Sequence, residues 1–100
     1  MPAIEPKSDA EFANWIGAHP GGFVLHTRVT PDPRHIVLHR ASCYLISPTK
    51  RGVPPGASTE RYHRKICAED LGALRAWLRK HGREDGSFPK VCGRCKPTGD

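Results

Sequence analysis

His39-Arg40-Ala41-Ser42-Cys43 sets an imidazole and a thiol four positions apart, and Cys92-Gly93-Arg94-Cys95 adds two thiols in a short knuckle. Together they make a nitrogen and sulfur ligand set. Zinc suits it, because that ion accepts tetrahedral thiolate and imidazole donors, and a closed shell of three Cys and one His is a common structural arrangement. A lone Cys-x-x-Cys is a weak signal, whereas one paired with His-x-x-x-Cys at the end of a strand is much more specific. Four protein ligands leave no open position for water or substrate, so hydrolytic zinc chemistry is not expected. Cys67 is the rival ligand, completing an all-cysteine shell in place of His39; otherwise it is a small buried hydrophobe at a strand end. Gly93 is expected to let the knuckle turn tightly.

Working outward from the first ligand pair, residues 23–29 and 35–40 read as two strands joined by the turn Thr30-Pro31-Asp32-Pro33-Arg34. This hairpin puts His39 near a strand end. A third strand is expected over residues 61–67, after an irregular basic loop at 48–58 that holds three prolines. Ser8 and Glu11 form a capping box for a first helix whose Phe12, Trp15 and Ile16 share one face, and His19-Pro20-Gly21-Gly22 ends it. Glu69-Asp70 starts a second helix with Leu71, Leu74, Trp77 and Leu78 as its buried stripe and Gly82 as its cap. The expected architecture is α+β: a small zinc-stabilised domain over residues 8–97, behind a flexible tail at 1–7, with an antiparallel sheet of about three strands and two helices.

A chain of 100 residues with 37% hydrophobic side chains builds one modest core, which a crosslink would reinforce. Its four cysteines pose a choice between disulfides and a metal. The first residues carry no apolar leader, so a cytoplasmic, reducing setting is expected, where such cysteines favour metal. The longest apolar runs, Phe23-Val24-Leu25 and Ile36-Val37-Leu38, fall far short of the roughly 20 residues that cross a bilayer. No membrane association is expected.

Sixteen Lys and Arg against ten Asp and Glu leave a formal charge of +6, which suits a polyanionic partner such as DNA. Arg40, Arg94 and Lys96 adjoin the ligands in sequence, so closing the metal site would gather them into a basic rim joined by Lys50, Arg51, Arg61 and Arg64. The plainer alternative is a solvated charged face around a structural metal. Trp15 and Trp77 are expected in the core. There is no glycine-rich phosphate loop, nucleophile motif or suggestive carboxylate pair, so neither an enzyme nor a small-molecule substrate is expected. Adjacent Glu69 and Asp70 serve the helix dipole.

The segments His39-Arg40-Ala41-Ser42-Cys43 and Pro89-Lys90-Val91-Cys92-Gly93-Arg94-Cys95-Lys96-Pro97 resemble the metal-binding domain of Ada-type DNA-repair proteins. They look most like the H-R-x-x-C and C-x-x-C-x-P variant appended to bacterial nucleases. The resemblance covers about residues 36–97, with an enlarged loop at 48–58 and a longer segment before Cys92. It implies a bacterial zinc scaffold that contacts DNA, with a partner of nuclease type. One departure matters: where Ada-type proteins use a cysteine to accept a methyl group from DNA phosphate, this chain has His39, which lacks the thiolate nucleophile. Repair activity is therefore not carried over. The leading expectation is a zinc-binding, non-catalytic module that contacts the DNA backbone, including modified or damaged DNA. The second is a structural zinc domain that docks another protein. The third keeps a zinc-thiolate alkyl acceptor, for which Cys43 is the candidate.

Overall fold

Consecutive apolar side chains on an extended strand point to opposite faces, so Val24-Leu25 and Ile66-Cys67 demand cover on both sides of any sheet they form. The computed structural model, which describes residues 3–28, 35–47, 59, 63–81 and 83–98, supplies that cover with one helix on each face. The elements run α1 (Asp9–Ala18), β1 (Phe23–Arg28), β2 (Val37–Arg40), a 3-10 turn (Tyr44–Ile46), β3 (His63–Ala68), α2 (Leu71–Lys80) and β4 (Lys90–Val91). The fold class is α+β. The sheet, however, has four strands in the order β3-β1-β2-β4, not three, and it is mixed, since β4 joins β2 in parallel. Two residues are too few to show a period of two, which is why the sequence reading left β4 as loop.

Register divides the side chains. Val24 pairs with His39 on β2 and Cys67 on β3, and that face packs under α1 with Phe12, Ala41, Cys43, Ile46 and Cys92. Leu25 pairs with Leu38 and Ile66, and these meet Leu74 and Leu78 of α2, all five fully buried. The expected helix stripes are thus the docked ones. Trp15, Ile16, Leu71 and Trp77 are half-buried at their margins.

Ser8 caps α1 by accepting a hydrogen bond from the Glu11 amide at 3.1 Å. The Glu11 carboxylate reaches the Lys7 amide at 2.7 Å, one residue earlier than a regular capping box. Asp70 is the N-cap of α2, accepting from the Ala73 amide at 2.8 Å. α2 ends on His81, and the expected cap Gly82 lies outside the described residues, as do the turn at 29–34 and the loop at 48–58. Gly22 is needed for a close approach: a Cβ there would sit 2.7 Å from Trp15 Cη2, so any side chain would lift α1 from the sheet.

The tail expected over residues 1–7 is docked from Ala3 onward. Ile4 and Cys67 exchange two backbone hydrogen bonds of 2.8 Å, and Arg64 grips Glu5 with Nε and Nη2 at 2.6 Å each. The sequence gives no sign of this, because the pairing is antiparallel at a single position. Hydrogen bonding from Arg64 holds the Glu5 carboxyl below its ordinary value of 4.5, against the opposing effect of partial burial. A depressed carboxylate contributes stability above its unfolded pKa and loses it as pH falls through the folded value. Glu5→Gln should therefore cost about 0.5–1 kcal/mol at neutral pH, a figure limited by solvent screening. Urea denaturation of both chains across pH should show that gap closing as the pH drops below about 4.5.

Candidate metal centre

β2 carries the first ligand. His39 lies on the α1 face, 6% exposed, with the His26 ring edge-on at a centroid distance of 6.3 Å. After Arg40 the chain turns, with the Cys43 amide donating to the Arg40 carbonyl at 3.0 Å, and this folds Cys43 back beside His39.

The second ligand pair is delivered by β4. Val37 pairs with Lys90 and Leu38 with Val91, and the Cys92 amide extends the ladder to the Leu38 carbonyl at 2.9 Å. The short strand missing from the sequence reading is therefore what brings Cys92 to His39. Beyond it, the Lys96 amide donates to the Cys92 carbonyl at 3.1 Å and closes the knuckle. The left-handed residue of the knuckle is Lys96, whose φ is 46°, while Gly93 stays outside that region. A non-glycine residue there costs about 1–2 kcal/mol, so the surrounding contacts must hold it.

The ligand atoms of His39, Cys43, Cys92 and Cys95 all lie within 4.8 Å of one another, and Cys43 Sγ is 4.0 Å from Cys92 Sγ. That spacing leaves room for one ion between them. Cys67 does not belong to this group. It sits fully buried on β3 opposite Val24, and burial pushes its thiol up to about 12, so it stays protonated and apolar.

Electrostatics favours a cation here. Burial works against ionising Cys92, yet hydrogen bonds to its sulfur from the Cys95 and Arg94 amides and from the Cys95 and Cys43 thiols together hold it below the usual thiol range. Cys95 is pushed up to about 11 by burial and the adjacent thiols, despite a hydrogen bond from the Arg40 amide to its sulfur at 3.2 Å. The first thiolate thus opposes the next, and a divalent ion would relieve that opposition.

Arg40 has a structural task that the sequence reading missed. Its Nε donates to the Cys95 carbonyl at 2.7 Å and its Nη2 to the Lys96 carbonyl at 2.9 Å, fastening β2 to the knuckle. The left-handed Lys96 lies within this grip. Among the other expected phosphate contacts, Arg64 is paired with Glu5, while Arg94 and Lys96 are exposed beside the ligands. Lys50, Arg51 and Arg61 lie outside the described residues. No described helix is long and apolar enough to cross a membrane.

No family model matches the chain, and no curated protein or solved structure shows significant similarity to it.

Replacing the guanidinium removes two charge-assisted hydrogen bonds, to the Cys95 and Lys96 carbonyls, and leaves every candidate ligand atom in place. Arg40→Gln should destabilise the fold by about 2–3 kcal/mol. In chemical denaturation it should lower the midpoint; an unchanged midpoint would show that the Arg40 contacts carry no stability.

Proposed function

We propose that His39, Cys43, Cys92 and Cys95 bind one zinc ion as a closed structural shell, and that the resulting basic module makes non-catalytic contact with nucleic acid. The convergence of those four donors within 4.8 Å carries the metal reading. Zinc is favoured because three sulfurs and one imidazole match its preferences and its tetrahedral geometry. Three of the donors are buried, and a fully ligated ion has no place for a reacting water.

For the nucleic-acid role, support comes from charge. Zinc with three thiolates lowers the formal +6 by only one, because three negative charges meet two positive, and the surface remains basic. Exposed Arg94 and Lys96 beside the knuckle suit phosphate, and the motif resemblance to Ada-type domains points the same way. That resemblance also supports a bacterial, cytoplasmic setting beside a nuclease-type partner. Alkyl transfer ranks lower, since His39 stands where that chemistry needs a thiolate.

Native mass spectrometry should find one zinc per chain, retained in Cys67→Ser and lost or weakened in His39→Ala and Cys92→Ser. Metal loss in Cys67→Ser with retention in His39→Ala would overturn the assignment. Because binding energy at a structural site is folding energy, a strong chelator should unfold the region from His39 to Cys95. Amide exchange that stays slow there after zinc removal would contradict this.

A further inference from the structure

The cations best placed for a polyanion lie on the opposite side of the sheet from the metal ligands. α2 buries Leu74 and Leu78 and exposes Gly72, Arg75, Ala76, Arg79 and Lys80. At 3.6 residues per turn, Arg75 and Arg79 share a ridge, Lys80 stands across from them, and only Gly72 and Ala76 lie between. The result is a shallow cationic trough. No carboxylate occurs within Leu71–Lys80; just before it, Glu69 pairs with His19 at 3.1 Å, and the N-cap Asp70 closes the Gly72 end of the trough, its Oδ1 3.2 Å from where a Gly72 Cβ would be. Of the acids that follow, Asp85 accepts from the Ser87 amide at 3.0 Å and hydroxyl at 2.9 Å, and exposed Glu84 belongs to the same loop, whose Gly86 packs on Arg79.

Two of these side chains are already positioned. The Arg75 guanidinium lies 5.2 Å from the Phe88 ring centroid, a cation–π contact that orders it. Arg79 crosses the backbone at Gly86, where φ is +67° and a Cβ would stand 3.0 Å from its Nε. Ordering in advance lowers the entropic cost of gripping a ligand.

We propose that this exposed face of α2 binds the phosphodiester backbone of duplex nucleic acid, a step that rests on the nucleic-acid reading above and moves its main contact away from the metal rim. An α-helix 10–12 Å across matches the major groove of B-form DNA, and the small side chain of Ala76 between the cations lets phosphates approach the helix closely. A single strand would instead need exposed rings beside these cations, but the ring that α2 itself carries, Trp77, is half-buried and stacked on His81 at 4.0 Å, and exposed Tyr44 belongs to the 3-10 turn after β2. A membrane surface fits less well, because the apolar residues of α2 are spent in the core.

The test compares two charge-matched triple variants of the zinc-loaded chain, Arg75→Gln/Arg79→Gln/Lys80→Gln on α2 and Lys90→Gln/Arg94→Gln/Lys96→Gln around the knuckle. Binding to DNA and RNA duplexes is read between about 50 and 200 mM salt. The α2 variant should lose affinity by about tenfold or more and shed about three units of salt slope, and the knuckle variant should change much less. Arg75→Lys/Arg79→Lys should retain most of the binding, which separates lost charge from lost structure. Equal losses in both triples, or a larger loss in the knuckle variant, overturns the α2 assignment while leaving the nucleic-acid reading intact. If the unaltered chain binds neither duplex at low salt, both fall. Displacement of the duplex by polyglutamate at equal charge, or equal binding to anionic vesicles, overturns the assignment in favour of an acidic protein or a lipid surface.

Discussion

Three thiols and an imidazole crowded within 4.8 Å resist taking their metal-binding charge state together, because each thiolate raises the cost of the next. The burial of Cys43 and Cys92 sharpens this, and the chain answers it with backbone amides aimed at the Cys92 and Cys95 sulfurs and with Arg40 behind the knuckle. Those contacts ease the repulsion without removing it. A divalent cation at the centre would complete the balance, and in doing so would tie Cys43, in the turn after β2, to Cys92 49 residues further along. Clamps of this kind matter most in small domains, where a single core supplies limited stability.

The clamp lies at one end of a core that is divided by the sheet. α1 and the ligands share one face, with Phe12, Val24 and Cys67 packed beside Cys43 and Cys92. α2 and the aliphatic residues of β1, β2 and β3 occupy the other, and this half is assembled from fully buried Leu and Ile side chains without any polar ligand. Hydrophobic burial therefore builds both layers, and the candidate metal ligands belong to one of them alone. Such a division leaves the outer surface of α2 apart from the candidate ligands, and among the described residues no carbonyl is seen to engage its cations as the Cys95 and Lys96 carbonyls engage Arg40.

Basic residues of the same type consequently have different fates. Arg40 and Arg64 act inside the molecule, one on carbonyls of the knuckle and one on the Glu5 carboxylate that docks the N-terminal segment. Arg75 and Arg79 keep their charge at the surface, steadied by an aromatic ring and a left-handed glycine. Net charge made a polyanion plausible, but only the positions of these groups distinguish fasteners from contacts.

Residue types and their spacing marked out the candidate ligand pairs, both helix stripes and the first hairpin, because ligand chemistry and hydrophobic period are local properties written along the chain. Ser8 and Asp70 were legible as helix-start signals for the same reason. Tertiary structure alone decided that His39 and not Cys67 joins the sulfur cluster, since that depends on the turn after β2 and on which face of β3 meets which partner. It also decided that Lys90 and Val91 form a parallel fourth strand and that Ile4 and Glu5 are docked. A two-residue ladder, a single bridge and a guanidinium seated on distant carbonyls leave no periodic trace, for their energy comes from neighbours far away in sequence.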